Sequence, residues 1–275
     1  MRNQRIWTRA AGAAALLASL AALSACGYFD LLGPREPDPE DPPDTGTTWE
    51  VTIGEASEAR SLLLTADGGF AIAGTTDAGV ARQLDLWLIK TDGAGQKQWS
   101  QAFGGGGNDE GRCVRQTPDG GYILVGSTSS FGAGGSDVYL VKTDAEGNLQ
   151  WEETFGGTAA EHGYSIECTE DGGYVIAGST ASAGAGLADV YLIKTDSAGN
   201  EDWHKTFGGP YSDEGYAVRQ AADGGYVVAG YTQGTGSFAG DDNAWLIKTL
   251  ETGEMEWNEP FGVDALVPGD AAYYD

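Results

Sequence analysis

The chain has 275 residues, 41% of them hydrophobic, and a formal net charge of −26 at pH 7. This length suits one large domain or two ordinary ones. The negative charge argues against nucleic acid and anionic lipid headgroups as partners, because the phosphate attraction that drives such binding would become a repulsion. It fits a highly soluble protein outside the cytoplasm, or a surface that attracts cations.

Residues 1–25 are predicted to be a secretion signal. Three arginines precede an Ala-rich apolar run that is too short for a committed membrane span. The run ends in Leu23-Ser24-Ala25-Cys26, which resembles the lipobox of bacterial lipoproteins, where a peptidase cuts before a cysteine that carries the lipid. The resemblance implies lipidation of Cys26, and Gly27 fits delivery to the outer membrane of a bacterial cell envelope. An ordinary signal with an incidental cysteine is the alternative.

Residues 26–48 are predicted to be a tether. The segment holds five prolines and many carboxylates, so it cannot pack a core and should be extended by its own charge repulsion. Loss of the three signal arginines makes the mature chain more acidic, at about −29. We therefore expect the globular part to stand clear of the bilayer.

Residues 49–261 contain a repeat of 52 residues. Its first mark is an Asp-Gly-Gly turn, which begins at Asp67, Asp119, Asp171 and Asp223. Its second mark is a lysine that ends an apolar segment, at Lys90, Lys142, Lys194 and Lys248. Its third mark is a tryptophan, present in five copies at Trp49, Trp99, Trp151, Trp203 and Trp257. We expect the lysines to pair with the turn aspartates and these marks to be structural.

Each repeat reads as four antiparallel strands. The two middle segments are apolar on both alternations, which indicates strands covered on both faces. Four-stranded sheets repeated in register are typical of the blades of a β-propeller. The predicted fold is therefore all-β, with four blades of 52 residues, a partial fifth repeat at the C-terminus, and a degenerate tail at 262–275.

The turn before each tryptophan carries a resemblance to known propellers. The T-D-x-x-G-x-x-x-W segments at 143–151 and 195–203 resemble the tryptophan-docking repeats of quinoprotein-like propellers. The Asp-Gly-Gly turn more loosely resembles the Asp-box of sialidase-like propellers, and the whole unit is similar to repeats of bacterial surface lipoproteins. The resemblance implies the fold and does not bring the quinone with it.

The number of blades does not decide whether the propeller closes into a ring. Five copies of the tryptophan strand accompany four complete units, which suits a ring whose two termini share one sheet. Four blades is the low end of the propeller range, so an open array completed by a partner or a second copy is the alternative.

The longer loops of every repeat are predicted to lie at one end of the blades, where binding would be placed. The acidic residues of this end are Asp85, Asp109, Glu110, Asp137, Glu161, Asp189, Asp213, Glu214, Asp241 and Asp242. They either bind Ca²⁺ or cap the turns of their own loops. No calcium-loop spacing is present, which favours the structural role.

Other chemistry has weaker support. A glycoside hydrolase would pair two of these carboxylates, but every tryptophan after the signal occupies a repeat position, which leaves no obvious sugar platform. A sialidase would need an arginine cluster, and Arg112, Arg115 and Arg219 show no equivalents in other copies. His162 and His204 are expected at the surface. Cys113 lies six residues before its Asp-Gly-Gly turn and Cys168 three residues before its own, so in strands their side chains would face opposite ways. This argues against a disulfide between them.

The sequence thus favours a lipid-anchored binding or scaffold module that has no catalytic site and no cofactor. The expected partner is a protein or a glycan, in addition to the membrane held through Cys26. A Ca²⁺-dependent glycan binder and, behind it, a glycoside hydrolase are the alternatives.

Overall fold

The computed structural model describes residues 57–77, 83–234 and 242–261. Internal contacts divide the chain between Thr47 and Thr48, and all described residues lie in the second unit. The predicted signal, tether and tail, together with Cys26, Trp49 and Asp241, lie outside the described residues. Among the described residues, no helix is long and apolar enough to cross a bilayer.

The described residues form an all-β propeller of four blades, each a four-stranded antiparallel sheet. The first blade contains β1 (Ser57–Leu64), β2 (Phe70–Thr76), β3 (Asp85–Thr91) and β4 (Lys97–Phe103). The second contains β5 (Asp109–Gln116), β6 (Tyr122–Thr128), β7 (Asp137–Thr143) and β8 (Leu149–Phe155). The third contains β9 (Glu161–Cys168), β10 (Tyr174–Thr180), β11 (Asp189–Thr195) and β12 (Glu201–Phe207). The fourth contains β13 (Asp213–Gln220), β14 (Tyr226–Thr232), β15 (Asn243–Thr249) and β16 (Met255–Phe261).

The Asp-Gly-Gly segment forms the first hairpin of each blade. In the second blade the Thr117 amide donates to the Gly121 carbonyl at 2.9 Å, and Gly120 has a φ of 85°, a conformation that glycine adopts without Cβ strain. The first and second strands therefore pair directly across a tight turn.

A lysine from the third strand binds the aspartate of this hairpin turn. Lys142 is 4% exposed, and its Nζ donates to Asp119 at 2.9 Å and to the carbonyl of Thr143 at 2.8 Å. The predicted pairing of repeat lysines with turn aspartates is confirmed in all four blades, as Lys90–Asp67, Lys142–Asp119, Lys194–Asp171 and Lys248–Asp223.

The hydrophobic core lies between blades. We call the side of a blade that faces the preceding blade its front face, and the opposite side its back face. Each of three core clusters joins one back face to the next front face. The front-face residues of the second blade are at most 1% exposed, namely Val114, Tyr122, Leu124, Tyr139 and Val141. This arrangement explains why the middle strands are apolar on both alternations.

The repeat tryptophans of the outer strands dock on the next blade. Trp151 in β8 lies over Gly199 in the β11–β12 turn, where an added Cβ would meet the indole ring at 2.6 Å. Its ring centroid is 6.1 Å from that of Tyr174 in the third blade. Trp99 and Trp203 pack in the same way, so glycine is required where each indole ring crosses the following turn.

The C-terminal tryptophan copy completes the fourth blade. Trp257 lies in β16, the last strand of that blade, and the predicted partial fifth repeat beyond it lies outside the described residues. Within the described residues the repeats end with this strand. The additional copy of the tryptophan strand is the one at Trp49, outside the described residues.

The four blades form an open arc. The inner strands contact one another in turn, β1 with β5, β5 with β9, and β9 with β13. The described strands of the fourth blade make no comparable contact with those of the first. Leu62 on the first front face is 63% exposed, whereas its counterparts Val114 and Ile166 are 0% exposed. Phe261 on the last back face is 53% exposed, whereas Phe155 is 7% exposed.

Candidate functional site

The acidic residues predicted to form a binding face occupy the first positions of strands at the long-loop end. Asp85, Asp137 and Asp189 begin the third strands of their blades, and Asp109, Glu161 and Asp213 begin the inner strands. All except Asp85 are at most 1% exposed. Access to these carboxylates from solvent would therefore require the loops to rearrange.

These acids meet in pairs across neighbouring blades. Asp137 of the second blade and Glu161 of the third both lie against Gly156, where an added Cβ would meet their oxygens at 2.2 and 2.4 Å. Asp85 pairs with Asp109 in the same way at Gly104, and Asp189 with Asp213 at Gly208. The pairs therefore belong to the junctions between blades.

Hydrogen bonds donated by the loops stabilise the buried carboxylates. Glu161 accepts bonds from the Gly157 amide at 2.7 Å, the Thr180 hydroxyl at 2.9 Å and the Ser182 amide at 3.0 Å. Burial acts to raise the pKa of Glu161, but these bonds outweigh it and hold the pKa below its usual value. Burial and then the Glu161 charge raise the pKa of Asp137, despite its bond from the Ala133 amide at 3.1 Å.

The arrangement assigns these carboxylates a part in fixing the loops. Among the described residues, no group of three or more His, Cys, Asp or Glu side chains is placed to hold a metal ion. In the fourth blade the strand position of Asp189 belongs to Asn243, and Asp242 instead accepts a bond from Gln233 at 2.6 Å. The proposed Ca²⁺ role of the acidic residues stays a prediction.

Glu110 and Glu214 belong to a different cluster, on the inner strands. We call this cluster the inner row. It contains two positions from each inner strand and one tyrosine from β14, namely Glu58, Arg60, Glu110, Arg112, His162, Tyr164, Glu214, Tyr216 and Tyr231.

Ion pairs connect the first two blades of the inner row. Arg60 Nη2 lies 2.8 Å from Glu58 and 3.8 Å from Glu110, and Arg112 Nη2 lies 2.7 Å from Glu110. The side chains of both arginines and of Glu110 are only about one quarter to one third exposed, so their charges are partly shielded from solvent.

Ring contacts continue the inner row to the fourth blade. The Arg112 guanidinium lies over the Tyr164 ring, 5.5 Å from its centroid. Tyr164 and Tyr216 have centroids 5.1 Å apart, and Tyr216 and Tyr231 5.8 Å apart. The Tyr231 hydroxyl donates to Glu214 at 3.3 Å. The inner row is therefore continuous over all four blades.

Two nitrogen atoms of the inner row are buried without a hydrogen-bond partner, His162 Nδ1 and Arg112 Nε. Burial, and after it the Arg112 charge, lowers the pKa of His162, so its imidazole is neutral at pH 7. Burial raises the pKa of Tyr164 to about 12, which keeps its hydroxyl protonated. The inner row thus retains unused hydrogen-bonding groups, and Tyr216 offers a ring that is 51% exposed.

An open cavity of about 370 Å³ lies at the first-blade end of the inner row. Its lining residues are Ser57, Glu58, Arg60, Thr75, Leu84 and Glu110. Thr75 is 5% exposed, and its hydroxyl oxygen has no hydrogen-bond partner. The cavity offers both charges and an unused hydroxyl.

The sequence pattern indicated only Glu110 and Glu214 of the inner row as binding residues. The expectation that Arg112 has no equivalent is wrong, because Arg60 occupies the same place in β1, one repeat of 52 residues earlier. The aromatic rings of the inner row come from tyrosines, whereas the expected aromatic platforms were tryptophans. The available signal was a repeat position that changes from copy to copy, as Arg60, Arg112, Tyr164 and Tyr216, while core positions stay apolar.

The remaining singled-out residues have local roles. Glu167 lies 3.2 Å from Arg219, which matches Arg115 in repeat position. His204 is exposed, and its Nδ1 lies 2.7 Å from Glu201. Cys113 and Cys168 do not form a disulfide with each other.

No protein-family model matches the chain. A segment of 110 residues is 29% identical to the regulatory protein FlaEY of Caulobacter vibrioides, and the match covers 35% of this chain and 12% of that protein. A protein of unknown function from Bacteroides caccae has a TM-score of 0.49 and 11% identity, covering 77% of this chain and 70% of that one. The WD40 domain of Pan2 from Neurospora crassa has a TM-score of 0.37 and 11% identity, covering 75% and 67%.

Proposed function

We propose that this protein is a lipid-anchored, extracytoplasmic binding and scaffold module that has no catalytic role and contacts a protein partner through the inner row. The anchor would be the lipidated Cys26 at the outer membrane, with residues 27–48 as the spacer. The inner row supports the binding role because it is continuous over four blades and partly accessible.

The composition of the inner row favours a polypeptide as the partner. Tyrosine and arginine are enriched at protein interfaces, because they combine a large contact area with a hydrogen-bonding end. The buried acid pairs are engaged with loop amides and hydroxyls, which leaves the inner row as the more accessible polar cluster. A chain this acidic would also draw a partner that carries positive charge.

Site-specific cross-linking in intact cells tests this proposal. A photo-reactive phenylalanine analogue replaces Tyr216, which is 51% exposed in the inner row, and in a second protein it replaces Leu149, which is 48% exposed on an outer strand. We expect a discrete protein adduct from position 216 and a much weaker one from position 149. Equal adducts from both positions, or none from position 216, would contradict binding by the inner row.

A further inference from the structure

The two ends of the arc present matching halves of an interblade junction. In the three junctions present, front-face positions equivalent to Leu62 and back-face positions equivalent to Phe261 are buried. At the two ends, the same positions are 63% and 53% exposed. Trp257 is also 44% exposed, whereas Trp99, Trp151 and Trp203 lie over a following blade.

One chain does not bring these halves together. The three junctions repeat the same strand contacts, and so they repeat nearly the same rotation from blade to blade. If four such rotations completed a circle, β13 would contact β1 as β5 contacts β9. The described strands show no such contact, so closing the ring requires more than four blades.

Residue size at the inner strands shows what fits the front face of the first blade. Gly111, Gly163 and Gly215 occupy one position in β5, β9 and β13, and in each case an added Cβ would come too close to neighbouring atoms. At Gly163 it would lie 2.5 Å from a methyl of Val125 and 3.0 Å from a methyl of Val138. The first blade has Ala59 at this position, so its front face already carries the additional methyl group.

The back face of the fourth blade carries the compensating change. The positions of Val125 and Val138 are held there by Ala229 and Ala244. The corresponding pairs in the other blades are Ala73 with Leu86, Val125 with Val138, and Ala177 with Val190. Only the fourth blade has alanine at both places, and only the first has a methyl at the glycine position. The extra methyl of Ala59 would fit where the valine methyls are missing.

We propose that two copies of this chain join head to tail at both ends, with the front face of each first blade on the back face of the partner's fourth blade. The contact is heterologous, and two such contacts related by a two-fold axis close a ring of eight blades, which lies within the propeller range. This arrangement buries Leu62 and Phe261. It is independent of what binds the inner row.

The mass of the detergent-solubilised mature protein, followed by sedimentation velocity over a range of concentrations, tests the association. We expect the mass of two chains. A single-chain mass at every concentration would overturn the proposal, whether the ends stay open or are covered by another protein.

A pair of size-exchange variants tests the register. Ala244→Val adds methyl groups opposite Ala59 at both junctions, and overpacking should weaken the dimer at least tenfold. Ala244 is exposed in the single chain, so the added methyl groups should not disturb the monomer. At low protein concentration, where dimers dissociate, the variant should therefore unfold at the same denaturant concentration as the native protein. The double variant with Ala59→Gly recreates the pattern of the internal junctions and should recover dimerisation. An unchanged dimer in the single variant, or no recovery in the double variant, would overturn the register.

Two charged variants test the head-to-tail arrangement. Leu62→Glu disables only the front face, and Phe261→Glu only the back face, so each protein alone should be monomeric. An equimolar mixture still offers one intact junction, and we expect mixed dimers to appear. Absence of mixed dimers would contradict a heterologous contact.

Discussion

At the scale of single residues, two glycines have the same backbone conformation, but only one of them lies against a tryptophan ring. Gly199 has a φ of 87° and Gly172 a φ of 85°, so alanine would be strained at both. A Cβ on Gly199 would also meet Trp151 at 2.6 Å, whereas nothing lies within 4 Å of a Cβ on Gly172. Comparing the two positions separates backbone strain from tryptophan docking.

We predict that Gly172→Ala lowers the free energy of unfolding by about 1 to 2 kcal/mol, the cost of placing a Cβ in the left-handed region. Gly199→Ala should lower the free energy of unfolding by about 1 to 3 kcal/mol more, because the Trp151 indole ring must move away from its contact with the third blade. Urea unfolding of both variants measures the difference. Equal losses would show that the docked ring contributes little to the junction.

The residue scale also shows where the sequence was insufficient. The acids at the starts of strands could be placed at one end of the blades from the repeat alone. Their burial could not be predicted, because it depends on loops from two neighbouring blades closing over them, as Ser182 and Gly157 close over Glu161. Tyr164 and Tyr216 likewise come together only through the stacking of blades.

At the scale of secondary-structure elements, the first hairpin and third strand of a blade are joined by a lysine–aspartate pair. Burial acts to raise the pKa of Asp119, but bonds from Thr117 and Lys142 lower it to about 2. Because this value is below that of the unfolded chain, the pair stabilises the fold above about pH 4 and its contribution disappears as the pH falls towards 2.

We predict that Asp119→Asn lowers the free energy of unfolding at pH 7 by roughly 1 to 3 kcal/mol, since the buried Lys142 loses its charged partner. The deficit should shrink between about pH 4 and pH 2, where the native carboxylate also becomes neutral. Chemical unfolding at several pH values measures both effects. Glu146→Gln, which removes an exposed charge from the neighbouring turn, controls for net charge. A deficit that stays constant from pH 7 to pH 2 would contradict this role of the pair.

Elements were the most predictable level of this fold. The four strands of each blade follow from the turn residues and from segments such as DVYLVKT in β7, which is buried along its whole length. The exception was the C-terminal strand. Five tryptophan copies in four units do not reveal which copy is additional, and only the pairing of β16 with β15 assigns Trp257 to the fourth blade.

At the scale of the whole molecule, anchoring is tested at Cys26. We predict that the native protein incorporates a fatty-acid analogue and partitions into the detergent phase, and that Cys26→Ser abolishes both. Replacement of Cys113 by serine is the matched control, because that thiol lies inside the blades and should not affect labelling. Labelling that survives Cys26→Ser would refute the lipoprotein assignment.

Blade number could be read from the sequence, but closure could not. Closure depends on the angle between neighbouring blades, which is set by how large the facing side chains are at the three junctions. The sequence also contains the difference on which the proposed pairing of two chains rests, since Ala59 stands where the later blades have glycine and Ala244 where the earlier blades have leucine or valine. The meaning of this difference emerges only when strand register places both alanines on terminal faces.

The uniform repeat has a consequence for how such a gene can change length. Duplicating an internal unit would leave both terminal faces as they are and would add one internal junction of the kind that already joins the blades. In a ring of two chains, however, one extra unit per gene adds two blades, and ten exceeds the usual propeller size. If two chains form the proposed ring, unequal recombination between repeats would therefore yield a chain that no longer closes a ring of the usual size with a second copy.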